Sequence, residues 1–125
     1  MKVVATVQAR MGSTRLPGKA LRWIGGQPMV VRIAERLAYC ASLNQIVLAT
    51  SENPGDDVLA KCWSKRTKYN VVRGSEALLD ARLLKAAVST GADAIVRITA
   101  DCPLVDPAIV DELVGRWRAN PKLEY

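Results

Sequence analysis

Val3-Val4-Ala5-Thr6-Val7-Gln8-Ala9-Arg10-Met11-Gly12-Ser13-Thr14-Arg15-Leu16-Pro17-Gly18-Lys19 is the stretch that decides the fold. An apolar, β-branched run over Val3–Val7 gives way to a loop that holds two glycines and three cations, Arg10, Arg15 and Lys19, with no acid among them. A buried strand reads as such a run. The glycines let backbone approach a ligand without a Cβ in the way. Cations and free N–H groups beside them suit an anion. The reading is a strand followed by a triphosphate-binding loop, the first unit of an α/β domain.

The rest of the chain repeats that alternation. Further strand-like runs fall at Gln45–Ala49, Asn70–Val72 and Ala94–Ile98. Helical patterns separate them. The first opens at Pro28 and runs to about Cys40, with Val30, Val31, Ile33, Ala34, Leu37 and Ala38 near a 3.6 period. The second opens at Asn53-Pro54, a cap followed by proline, with Asp56 and Asp57 suiting the helix dipole. The third follows Ser75 as its cap and ends near Gly91. The fourth opens at Asp106-Pro107 and sets Ile109, Val110, Leu113, Val114 and Trp117 on one face. Strands alternating with helices predict a mostly parallel sheet in a three-layer α/β/α sandwich, with ligands beyond the carboxyl ends of the strands. Residues 1–125 are expected to form a single nucleotide-binding domain.

Composition removes whole classes of function. The chain has 125 residues and no histidine, so histidine triads and histidine metal sites are excluded. Its three cysteines, Cys40, Cys62 and Cys102, are widely spaced and predict reduced thiols and a cytoplasmic protein. Cys102 reads as a small buried residue near the site. No run approaches the roughly 18 apolar residues of a membrane helix. The net charge of +6 points to an anionic partner. Arg32, Arg36, Lys65, Arg66, Lys68, Arg116 and Arg118 read as solvated helix-face charges. Nucleic acid would call for aromatics interleaved with a basic stripe; phenylalanine is absent and Trp23, Trp63 and Trp117 are scattered.

The loop fits neither common phosphate motif. Five residues separate Gly12 from Gly18 and Ala20 follows Lys19, which departs from the P-loop spacing. No GxGxxG occurs. What the chain does resemble is the cytidylyltransferase family that activates acidic sugars, the CMP-KDO and CMP-sialic acid synthetases, and within it the SpsF branch of spore-coat polysaccharide proteins. The resemblance rests on Gln8 through Lys19, Gly26-Gln27-Pro28-Met29-Val30, Ala49-Thr50-Ser51, Arg73-Gly74-Ser75 and Arg97-Ile98-Thr99-Ala100-Asp101-Cys102-Pro103-Leu104-Val105-Asp106-Pro107. These blocks lie in family order and cover nearly all of the chain.

The resemblance implies a GT-A-like nucleotide-diphospho-sugar transferase fold and a reaction of CTP with a sugar hydroxyl, giving a CMP-sugar and pyrophosphate. The acceptor would be an acidic or amino sugar for a surface polysaccharide. By the family pattern Arg10 and Lys19 hold the triphosphate, with Arg15 a further phosphate candidate. Gln8, Met11, Gly12 and Ser13 line the nucleotide, and Ala9 lies near the base. Asp101 matches the Mg²⁺-binding aspartate, so catalysis would rest on Arg10, Lys19 and Asp101. Arg73 and Ser75 face base or ribose, unless Ser75 serves only as a cap. Thr50 and Ser51 either line the cleft or merely end a strand. After Ser75 the chain departs from the SpsF pattern, keeping its arginine at Arg82 but placing Asp80 where an apolar residue belongs. Family members run to about twice this length, within the size one domain can reach. The expected fold is therefore a truncated one with an open sheet edge. A homo-oligomer or a missing partner segment would cover it. A non-catalytic nucleotide-binding or interaction module is the alternative reading.

Overall fold

The computed structural model describes residues 1–12 and 14–123. Ser13, expected above to line the nucleotide, lies outside the described residues. The strands are β1 (Val3–Gln8), β2 (Trp23–Ile24), β3 (Gln27–Pro28), β4 (Gln45–Ser51), β5 (Asn70–Gly74) and β6 (Ala94–Thr99). The helices are α1 (Met29–Leu37), α2 (Asp57–Arg66), α3 (Leu79–Thr90) and α4 (Pro107–Ala119).

Four strands form one parallel sheet in the order β5-β4-β1-β6. β1 is central and wholly buried over Val3–Val7, which is why its sequence is a near-continuous apolar run. From β1 the chain steps outward through α1 to β4 and through α2 to β5, then returns to the far side of β1 as β6. Right-handed crossovers place helices on opposite faces when the stepping direction reverses. Packing agrees. Val3, Ala5 and Val7 of β1 join α1, α2 and α4 in the main core, with Leu37, Leu59, Trp63 and Val110. On the other face Val4 and Val47 pack with Ala86 of α3. The architecture is the three-layer α/β/α sandwich expected, and the reversal leaves a switch point between the carboxyl ends of β1 and β6, where open α/β sheets bind ligands.

Local chemistry explains the helix ends. Asp106 accepts from Ala108 N–H at 2.9 Å and Pro107 opens α4. Asn53 accepts from Gly55 N–H at 2.7 Å, but the turn it caps is a 3₁₀ turn over Pro54–Asp56, and α2 starts after it. Ser75 accepts from Leu78 N–H at 3.0 Å, yet α3 begins only at Leu79. Ser75 thus stabilises the turn before the helix and does not cap the helix itself.

Three details complete the picture. β2 and β3 form an antiparallel hairpin across Gly25-Gly26 that periodicity did not reveal, being only two residues a strand. Lys65, Arg66, Lys68, Arg116 and Arg118 are exposed as expected and Arg32 and Arg36 half-buried, but three of the seven also act as staples. Arg32 donates to Ile24 O at 2.9 Å, Arg36 to Val105 O at 2.6 Å, and Arg66 stacks 4.7 Å over Trp23. Of the α4 face, Val110, Val114 and Trp117 pack inward, while Ile109 and Leu113 are exposed.

Candidate functional site

The site is built where β1 ends. Ala9 N–H donates to Ala49 O at 3.2 Å, so the ladder runs one residue past Gln8 before the chain leaves the sheet. Met11 N–H then donates to Asp56 Oδ1 at 2.7 Å. Asp56 is buried, and its other oxygen accepts from the Ser51 hydroxyl. Gly18 N–H returns to Met11 O at 3.0 Å and closes the loop into a ring. Gly18 has φ 74°, a left-handed conformation that a Cβ would strain. A 3₁₀ turn over Lys19–Leu21 follows, anchored by buried Ala20.

This ring presents its cations outward. Arg10 and Arg15 are exposed and form no ion pair among the described residues. A Cβ built on Gly12 would meet no described atom within 4 Å, so protein packing does not demand glycine there. Lys19 Nζ lies 3.9 Å from Asp101 Oδ2, bringing the end of the loop to the end of β6.

Asp101 follows β6 by two residues. Its Oδ1 accepts from the Thr99 hydroxyl at 2.5 Å and from Cys102 Sγ at 3.6 Å. The Thr99 bond, above all, holds its carboxyl below the usual value against the opposing effect of burial, with Lys19 adding to the shift. Asp101 is therefore anionic at neutral pH. Among the described residues no three acid or thiol side chains converge on one point. Mg²⁺ takes one or two carboxylates and completes its shell with phosphate oxygens and water, so one ionised carboxylate beside a cationic loop would fit that ion. Beside Asp101 lies an open cavity of about 760 Å³ that Arg97, Thr99, Cys102, Leu104 and Val105 also line. Cys102 is exposed, not buried as expected, because it sits in the turn beyond the strand. Burial instead falls on Cys40, whose thiol is pushed up to about 11 by desolvation and by Asp111 and Asp106.

Arg73 is not brought to the loop. Register opposite Thr50 turns it to the α1–α2 face. There Nε donates to Ser51 O at 2.8 Å, Nη1 to Asp57 Oδ1 at 2.6 Å and Nη2 to Asn53 O at 2.9 Å. Its three nitrogens are committed to stapling β5 to the turn before α2. Thr50 and Ser51 are buried within β4 and do not line an open cleft, though Ser51 reaches the site through Asp56.

Two residues escaped the sequence reading. Asp56 looked like a helix-dipole acid, and nothing local distinguishes a buried carboxylate from an exposed one. Arg97 left a signal that was legible: a charge inside the apolar run Ile95–Ile98.

A parallel sheet with a cationic loop and a strand-end aspartate at its switch point defines an α/β protein with a candidate anion-binding site. The chain belongs to the cytidylyltransferase family, whose model matches residues 4–124. It is 36% identical over 116 residues to the spore coat polysaccharide biosynthesis protein SpsF of Bacillus subtilis, covering 90% of this chain and 48% of that protein. It is 37% identical over 124 residues to the 3-deoxy-manno-octulosonate cytidylyltransferase of Geobacter sulfurreducens, covering 97% and 47%. Among solved structures, a cytidylyltransferase from Leptospira borgpetersenii superposes with TM-score 0.91 at 39% identity over 98% of this chain and 51% of its own. CMP:2-keto-3-deoxy-manno-octonic acid synthetase complexed with CTP superposes with TM-score 0.83 at 26% identity over 98% and 50%. The chain thus spans about half the length of these relatives. Among the described residues no helix is long and apolar enough to cross a membrane.

Proposed function

We propose that the chain binds CTP and carries the nucleotide half of a transfer of CMP to a sugar hydroxyl. One observation carries the reading: Lys19 of the cationic loop and Asp101 of the β6 end stand 3.9 Å apart across the switch point. No feature of the core requires a cation and an exposed acid to meet there. Family membership and the CTP bound in the related synthetase support the nucleotide. The sugar acids named in the relatives support the acceptor class, and the SpsF likeness supports a role in surface polysaccharide synthesis.

In this reading Arg10, Arg15 and Lys19 bind the triphosphate, Lys19 and Arg10 gripping the pyrophosphate end. The acceptor oxygen bonds to the α-phosphorus as the bond to the β-phosphate oxygen breaks. The products are the CMP-sugar, pyrophosphate and the hydroxyl's proton. Charge grows on the leaving pyrophosphate, where the loop cations already lie, so they stabilise the transition state more than the ground state. Asp101 would hold Mg²⁺, which supplies charge neutralisation of the phosphates when bound. Asp56 fixes Met11, and so Arg10, before the nucleotide arrives; such positioning lowers the barrier without chemistry of its own.

Calorimetric titration with CTP in Mg²⁺, with UTP, ATP and GTP as controls, tests this. CTP-selective binding is expected. Lys19→Ala should weaken CTP by about 10–100-fold, the loss of one charge-assisted contact, with an unchanged melting temperature. A folded chain that ignores CTP, or a Lys19→Ala protein with native affinity, removes the reading. The span of only half the relatives' length favours one second reading, a nucleotide-binding module without an acceptor site. CTP binding with no pyrophosphate release on any sugar would select it.

A further inference from the structure

Two acid-free stretches carry the whole charge excess of the chain. Residues 20–34 and 58–75 hold seven of the 18 cations and none of the 12 acids, which leaves eleven cations against twelve acids elsewhere. In the fold the two stretches meet. The first contains the β2–β3 hairpin and the second most of α2. Arg66, at the end of α2, lies 4.7 Å over the Trp23 ring, and its Nη1 donates to Gln27 Oε1 at 3.0 Å. Two of the seven cations are neutralised, Arg32 by Glu35 at 2.7 Å and Arg73 by Asp57 at 2.6 Å. The other five, Arg22, Lys61, Lys65, Arg66 and Lys68, are exposed and form no ion pair among the described residues.

Apolar groups stand among these cations. Trp23 and Ile24 of the hairpin are 61% and 42% exposed, and Val58 of α2 is 51% exposed. Val58, Lys61 and Lys65 recur at i, i+3 and i+7, so they share one face of α2, while Trp63 is fully buried on the face behind. The hairpin is held firmly in place. Gly25 and Gly26 turn the chain at φ 58° and 95°, and Arg32 donates to Ile24 O at 2.9 Å and to Gly25 O. The core gains nothing from an indole displayed there. An indole suits the boundary between water and an apolar phase, with its ring body buried and its N–H wet.

We propose that the β2–β3 hairpin and the outer face of α2 dock the protein on an anionic lipid bilayer, with Trp23 and Ile24 entering the headgroup layer and the five cations pairing with lipid phosphates. An anionic leaflet raises affinity about fivefold for each lysine or arginine held near it. The indole adds the apolar anchor that a peripheral protein needs besides charge. Nucleic acid fits less well. Base stacking needs open aromatic faces, and Arg66 already covers one face of Trp23, while Trp63 is buried and Trp117 half-buried. The docking is peripheral, since among the described residues no helix is long and apolar enough to cross a membrane.

The test is co-sedimentation of the full chain with vesicles of phosphatidylcholine alone and of equal parts phosphatidylcholine and phosphatidylglycerol. A short DNA, duplex and single-stranded, is titrated separately. The protein should pellet with the mixed vesicles and stay in solution with phosphatidylcholine. Added salt should release it, because screening shortens the reach of the charges. Lys61→Gln with Lys65→Gln should weaken vesicle binding about 10–30-fold, two cations at about fivefold each. Arg116→Gln with Lys122→Gln removes the same charge outside the patch and should weaken it less than about threefold. Brominated lipid should quench part of the wild-type tryptophan emission and none of that of Trp23→Ser. All these positions are exposed, so each variant should melt like the wild type. No vesicle binding, or equal binding to both lipids, overturns the proposal. Equal losses in the two double variants reduce the effect to net charge and overturn the patch. Quenching that persists in Trp23→Ser overturns the hairpin as the inserted element. Binding to DNA without binding to vesicles overturns the lipid in favour of nucleic acid. None of these readouts involves CTP, so they stand apart from the nucleotide reading above.

Discussion

The two faces of the sheet differ in what they bury. Under α1, α2 and α4 lies a large core in which Trp63, Leu37, Leu48 and Leu59 are fully buried. Under α3 the buried apolar set shrinks to Val4, Val47 and Ala86, and beside it sit a buried arginine and an unpartnered threonine hydroxyl. α3 also shows Leu84 and Val88 to solvent, 65% and 75% exposed. Apolar burial is the main favourable term in folding, so one face supplies most of the stability. The other face buries a cationic side chain, Arg82, that a purely structural layer would not need. The contrast follows from topology: reversing direction after β5 leaves one helix to cover a face that three helices cover on the other side.

Substitutions can break or sharpen this contrast. Trp63 is fully buried and its indole N–H donates to Tyr69 O at 2.9 Å and Asn70 O at 3.2 Å. Trp63→Ala should therefore cost about 3–5 kcal/mol in urea unfolding; a loss below about 1 kcal/mol would mean that the main core is not where stability lies. On the other face, Arg82→Met keeps the side-chain bulk against Gly74 and removes an unpaired buried charge. Its expected effect lies between neutral and a gain of about 1 kcal/mol, because buried ionic groups are often replaceable by apolar ones. A loss beyond about 2 kcal/mol would show that the guanidinium is satisfied in the free protein and would remove the contrast. The smallest effect belongs to Leu84→Ser and Val88→Ser, which should each stay within about 0.5 kcal/mol by thermal melting, as exposed positions do. A larger loss in the purified protein would reveal that this helix face is covered in solution.

The strands and helices were legible because each carries its own period and caps: β1 as an apolar run, α1 as a 3.6-residue stripe, α4 as Asp106-Pro107. The candidate site was legible only along the first loop and at Asp101, where unusual residue types stand together. Arg73 shows the limit. Its place in an Arg-Gly-Ser block suggested the base or ribose, but in the fold its three nitrogens are taken by oxygens of Ser51, Asp57 and Asn53.

The sequence by itself determined the order of elements, the parallel class of the sheet, the absence of histidine chemistry and the cationic loop, since these depend on residue type and spacing. The tertiary structure alone decided which groups meet. Asp56 reaches Met11 across 45 positions of chain, Lys19 reaches Asp101 across the switch point, and Arg97 joins Gln8 across 89. Such pairings are set by strand order and register, which shift a side chain to the other face with a single residue's slip; no local stretch of sequence encodes them.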